Sequence, residues 1–66
     1  MPSTVIRRFS YDEHRRVLHV EFQSGVPYDY FDVPPKVEHE LRESRSKGIY
    51  FNQFIKPYYR FQRLAA

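Results

Sequence analysis

The chain has 66 residues, no cysteine, six Tyr, six Phe, and 11 Lys and Arg against 8 Asp and Glu, for a formal charge of +3. A chain this short makes one domain and buries only about 60% of its unfolded surface, so its core must lean on large aromatic side chains. Without cysteine there is neither a disulfide framework nor a thiolate metal site, and the short apolar runs exclude a membrane span and a secretory h-region, so a cytoplasmic protein is expected. Arg outnumbers Lys eight to three, a bias that suits bidentate phosphate contacts and aromatic stacking.

Thr4 to Tyr11 is rich in β-formers and is expected to be the first strand. Val5, Phe9 and Tyr11 share a parity that Ile6 does not, so either Ile6 serves the opposite face or a bulge near Arg7 and Arg8 resets the phase. Asp12 to Arg16 is a polar connection of hairpin length. Val17 to Gln23 then alternates cleanly, which places Leu18, Val20 and Phe22 on the core face.

Ser24 and Gly25 mark the next turn, where Gly supplies a positive φ. The stretch from Gly25 to Val33 is the pivot of the chain, with a third strand from Pro27 to Phe31 on which Tyr28 and Tyr30 share one face. Pro27 belongs at a strand start or an edge. Pro35 is suited to the first turn of a helix and Pro34 to the position outside it. Val37 and Leu41 give that helix a narrow apolar stripe, with Lys36, Glu38, Glu40, Arg42 and Glu43 in solvent.

Ser44 to Gly48 breaks the helix, and Ser46 is placed to cap a second one that runs to about Lys56 and stops before Pro57. Phe51 and Ile55 form one stripe and Tyr50 and Phe54 another, so one is core and the other partly exposed. Tyr58 to Leu64 fits either a short strand or an aromatic tail over the core. The expected architecture is therefore α+β: one domain over residues 1–66, a three-stranded antiparallel meander followed by two short helices on one face, and room for a C-terminal edge strand.

The ordered landmarks Ile6, Tyr11-Asp12, Phe22, Ser24-Gly25, Tyr28-Asp29-Tyr30, Val33-Pro34, Leu41, Ser46, Gly48, Tyr50-Phe51-Asn52 and Ile55 resemble the KTSC domain family. That small domain is named after the C-terminus of some lysyl-tRNA synthetases and also occurs as free-standing bacterial proteins. The chain departs from the pattern at Ser10, where glycine is expected, and in its lengthened aromatic end, Tyr58-Tyr59-Arg60-Phe61. The resemblance implies an RNA-related role through the synthetase context and implies no catalytic residues.

Two functions from different classes follow as expectations. The first is a non-catalytic basic accessory module that contacts RNA phosphates through Arg45, Lys47, Lys56, Arg60 and Arg63. Arg45-Ser46-Lys47-Gly48 is the anion site on offer, since two cations flank a helix N-terminus. Tyr28 and Tyr30 are expected to be core, with Tyr30 kept as an outside candidate for base stacking. The second function is a protein-interaction or homodimerisation module using Tyr50, Phe54, Tyr58 and Phe61. Catalysis, a cofactor and a metal are not expected, because His14, His19 and His39 fall on separate elements and Asp29 and Asp32 lack a cleft that would separate their pKa values.

Overall fold

A computed structural model describes residues 6–64. The elements run β1 (Ile6–Asp12), β2 (Val17–Phe22), β3 (Pro27–Tyr30), α1 (Pro35–Glu43), α2 (Lys47–Phe54) and β4 (Phe61–Arg63). The four strands form one antiparallel sheet in the order β1-β2-β3-β4. The chain thus builds three strands, crosses one face with two helices, and returns to add its last strand beside β3. Val5 of the expected first strand lies outside the described residues.

Register explains the burial. Between Ile6 and Arg8 the β1–β2 ladder shifts, so the bulge is the correct alternative, and Ile6, Phe9 and Tyr11 all come to the helix side opposite Phe22, Val20 and Leu18. Tyr30 and Tyr28 continue the same rows on β3, and Phe61 and Arg63 complete them on β4. Leu18, Val20, Val33, Leu41, Phe51 and Ile55 have no exposed surface and form the core with Phe22 and Tyr30. Phe51 carries the aromatic centre: its ring meets Phe22 at 5.4 Å and Tyr30 at 5.1 Å, both edge to face.

The turns follow the residues that make them. Gly25 adopts φ +89° in the β2–β3 turn and donates its N–H to the Phe22 carbonyl at 2.8 Å. Pro27 opens β3 and, lacking an N–H, still accepts from Leu64 through its carbonyl at 3.0 Å. Pro35 occupies the first turn of α1 behind Pro34. The Ser46 side chain accepts from the Ile49 N–H at 3.3 Å, the expected cap of α2.

Some boundaries and one burial assignment differ from expectation. The break between helices is Ser44 to Ser46, so Gly48 lies inside α2. That helix ends at Phe54 rather than Lys56, because the N–H groups of Ile55 and Lys56 both converge on the Phe51 carbonyl and tighten the turn ahead of Pro57. Glu38 is buried, not solvated. It sits one turn from Leu41 on the inward side of α1, and Arg42 holds its carboxylate with Nε at 3.2 Å and Nη2 at 3.3 Å.

Candidate nucleic-acid interface

At the open end of the core, where β2 turns into β3, the sheet and α2 diverge and leave a cleft of about 260 Å³. Phe22, Tyr28, Tyr30, Phe51 and Phe61 line it, with Ser24 and Val26 from the turn and Lys56 from the segment after α2. The small sheet and its two helices thus leave a concavity on the helix side. β4, which pairs with β3 beside the cleft, has only three residues.

The rings differ in what they leave open. Tyr30 is 3% exposed and Phe51 is fully buried, so they form the floor. Burial pushes the Tyr30 hydroxyl up to about 12, with Tyr28 beside it adding to the effect. Tyr30 is a core residue, as expected, and only its outside candidacy for base stacking is corrected. Phe61 is 53% exposed and lies 5.7 Å from Tyr28 and 5.5 Å from Tyr30. Tyr28 is half-buried and meets Phe22 edge to face at 5.5 Å.

The five candidate cations do not form one footprint. Lys56 lines the cleft, and Arg63, paired in register with Tyr28, shares the helix-side face of β4 with Phe61. Arg60 has the opposite parity and turns to the other side. Its guanidinium lies 5.3 Å over the Phe31 ring and 3.8 Å from the Asp32 carboxylate. Arg45 and Lys47 stand at the start of α2, before the helix that separates them in sequence from Lys56. Lys47 Nζ donates to the Ser44 carbonyl at 3.3 Å, and Arg42, a further cation near that turn, is held by Glu38. Within the Arg45-Ser46-Lys47-Gly48 segment, the Ser46 hydroxyl caps α2.

The alternative interface residues also divide. Phe61 belongs to the cleft, while Tyr50 and Phe54 stack on each other at 4.9 Å on the outside of α2. Tyr50 donates its hydroxyl to Glu40 at 2.7 Å, and burial together with that bond pushes its hydroxyl up to about 12. Phe54, Tyr58 and Ile49 are exposed, and Ile49 had no sequence signal because it lies on neither apolar stripe.

The far face of the sheet is polar. His19 Nδ1 lies 2.7 Å from Asp29 Oδ1, its Nε2 lies 3.5 Å from Glu21, and Arg8 holds Glu21 at 3.0 Å. That guanidinium, ahead of the weaker contribution of His19, draws the Glu21 carboxyl below its ordinary value. Both ring nitrogens of His19 are thus engaged by carboxylates. Asp32, with a positive φ of 58° and an exposed carboxylate, is not paired with Asp29. No group of three or more His, Asp or Glu among the described residues is arranged to hold a metal ion. No helix among them is long and apolar enough to cross a membrane.

A four-stranded antiparallel sheet with two helices on one face and an aromatic cleft at its end defines a small α+β module. The KTSC domain family model matches residues 2–59, and the chain belongs to that family. It is 43% identical over 65 residues to an uncharacterised protein of Stutzerimonas stutzeri, covering 97% of this chain and 92% of that one. It is 45% identical over 62 residues to a lysine–tRNA ligase of Nostoc punctiforme, covering 94% of this chain but only 11% of the ligase. The crystal structure of a KTSC domain protein from Yersinia pestis superposes with a TM-score of 0.89 at 26% identity, covering 98% of this chain and 92% of that one.

Proposed function

We propose that the protein is a non-catalytic accessory module that binds single-stranded RNA through phosphate contacts and aromatic stacking. The observation that carries this function is a cleft lined by Lys56 whose exposed ring is Phe61, with Arg63 the cross-strand neighbour of its wall residue Tyr28. Base stacking on such a ring is worth roughly 1–3 kcal/mol per base and tolerates any sequence. The synthetase context lends support, since a lysine–tRNA ligase carries a segment similar to this chain within 11% of its length. Two features of this cleft favour binding there over chemistry. Neither a carboxylate nor a histidine lines the cleft, and its volume of about 260 Å³ lies below the range of roughly 300–1,000 Å³ typical of small-molecule sites. The cytoplasm is the compartment proposed with this role.

Fluorescence anisotropy with a short labelled single-stranded RNA at two salt concentrations tests the proposal. Binding should weaken with salt with a slope of roughly 0.7 per phosphate contacted. No binding at low salt rejects it.

A second function, self-association or docking of another protein, is favoured by a separate observation. Ile49, Phe54 and Tyr58 expose 61%, 51% and 72% of their surface on and just beyond α2. A concentration-dependent increase in mass that Phe54→Ser abolishes would support it.

A further inference from the structure

We propose that the cleft is a receptor for one unstacked nucleobase, with the adjoining phosphate held between Lys56 and Arg63. This inference rests on the RNA-binding function and specifies what part of the polymer enters the fold.

The shape and lining of the cleft carry it. Its volume of about 260 Å³ suits a single flat heterocycle with part of its sugar, and five of its eight lining residues are aromatic. Tyr30 and Phe51, buried and locked edge to face at 5.1 Å, give a floor that does not move to admit a ligand. Phe61 and Tyr28 are in ring contact, 5.7 Å apart and inclined at 56°, so an incoming base stacks on the exposed part of Phe61 rather than between the two rings. The lining residues with polar side-chain groups are Ser24, Tyr28, Tyr30 and Lys56, a set that suits the donor and acceptor edge of a base.

Charge selects the occupant. Lys56 is the charged residue of the lining, and Arg63 is the cross-strand neighbour of Tyr28 on the same face. With no carboxylate in the wall, the site favours a ligand that is flat and apolar at one end and anionic at the other. A nucleotide within a strand has that form; an acyl chain or an aromatic side chain of a peptide lacks the anion next to the ring. Because β4 closes the cleft with three residues and Phe61 is half exposed, a base can enter from the side without opening the sheet.

The test compares, on the full chain, an eight-nucleotide uridine RNA with a sugar–phosphate strand of equal length and charge that has no bases. The intact RNA should bind roughly 5- to 150-fold more tightly than the abasic strand, the range expected for one stacked base. Phe61→Ala should bring the intact RNA down to the abasic affinity and leave abasic binding unchanged. Phe61 is exposed, so thermal melting of that variant should stay close to that of the parent chain, which separates loss of the wall from loss of fold. Equal affinity of the two strands at low salt overturns the base receptor and leaves phosphate binding intact. Failure of both strands to bind overturns the RNA-binding function together with the receptor. An affinity ratio that persists in Phe61→Ala places the stacking elsewhere and overturns this site.

Discussion

Arg63 stands directly across the β3–β4 ladder from Tyr28, in the row that continues through Val20 to Phe9. A strand of three exposed residues thereby does more than cover an edge. It places a guanidinium on the face that carries the cleft, with Phe61 two residues before it and Lys56 arriving from α2.

The first prediction concerns these cations. Lys56→Gln and Arg63→Gln should each lower the salt slope of RNA binding by roughly 0.7, the loss of one phosphate contact on a single strand. Arg60→Gln should have a smaller effect, because its guanidinium is already shared between Phe31 and Asp32. Plots of log affinity against log salt for the three variants decide this, and equal slopes for all three would place the phosphates elsewhere.

The second prediction is about the core. Phe51 is fully buried and touches both Phe22 and Tyr30. Phe51→Ala should cost about 3–5 kcal/mol through lost burial and a cavity that the sheet cannot refill. A core in a chain this small rarely supplies more than about 3–5 kcal/mol, so that loss leaves the variant largely unfolded at 37 °C. Urea unfolding followed by circular dichroism reads the change. A midpoint close to that of the parent chain would mean that the aromatic centre is not where the stability resides.

Much of this core was legible beforehand, and the reasons are local. Leu18, Val20 and Phe22 alternate on one strand, Ser46 stands where a cap is needed, and Pro34-Pro35 can only lie outside and inside a helix start. What could not be read depends on distant partners. Tyr58 to Leu64 alternates well enough for a strand, but nothing within it says that Phe61 pairs with Tyr30 rather than remaining free. Glu38 looks like any helix-surface carboxylate until the sheet closes over α1 and Arg42 compensates its charge. Lys56 and Tyr28 are 28 residues apart in sequence, so their meeting at one cleft follows from topology alone.

The third prediction separates capping from anion binding at the start of α2. Ser46 accepts from the Ile49 N–H, and Ser46→Ala should cost about 1 kcal/mol. RNA affinity, measured where the variant is still fully folded, should be unchanged. A loss of affinity larger than the loss of stability would return the phosphate site to this turn.

The fourth prediction is a pH dependence. Burial raises the Tyr30 hydroxyl to about 12 from its ordinary 10.0. Between those values the folded chain keeps a proton that the unfolded chain releases, so this contribution is whole below pH 10 and is lost as pH rises toward 12. The loss is of order 2 kcal/mol. Thermal melting from pH 9 to 12 should show a fall that is shallower in Tyr30→Phe. Parallel curves would mean that Tyr30 titrates as an exposed residue.

RNA binding at the cleft requires that RNA touch the protein at Lys56, Phe61 and Arg63. Amide and side-chain NMR shifts of the full chain, recorded with a short single-stranded RNA at two salt concentrations, report this directly. Saturable shifts should cluster at Ser24, Tyr28, Lys56, Phe61 and Arg63 and weaken as salt is raised. Shifts confined to Arg45 and Lys47, or to the outer face around His19 and Asp29, would contradict the assignment of the cleft, and their absence at low salt would contradict RNA binding itself.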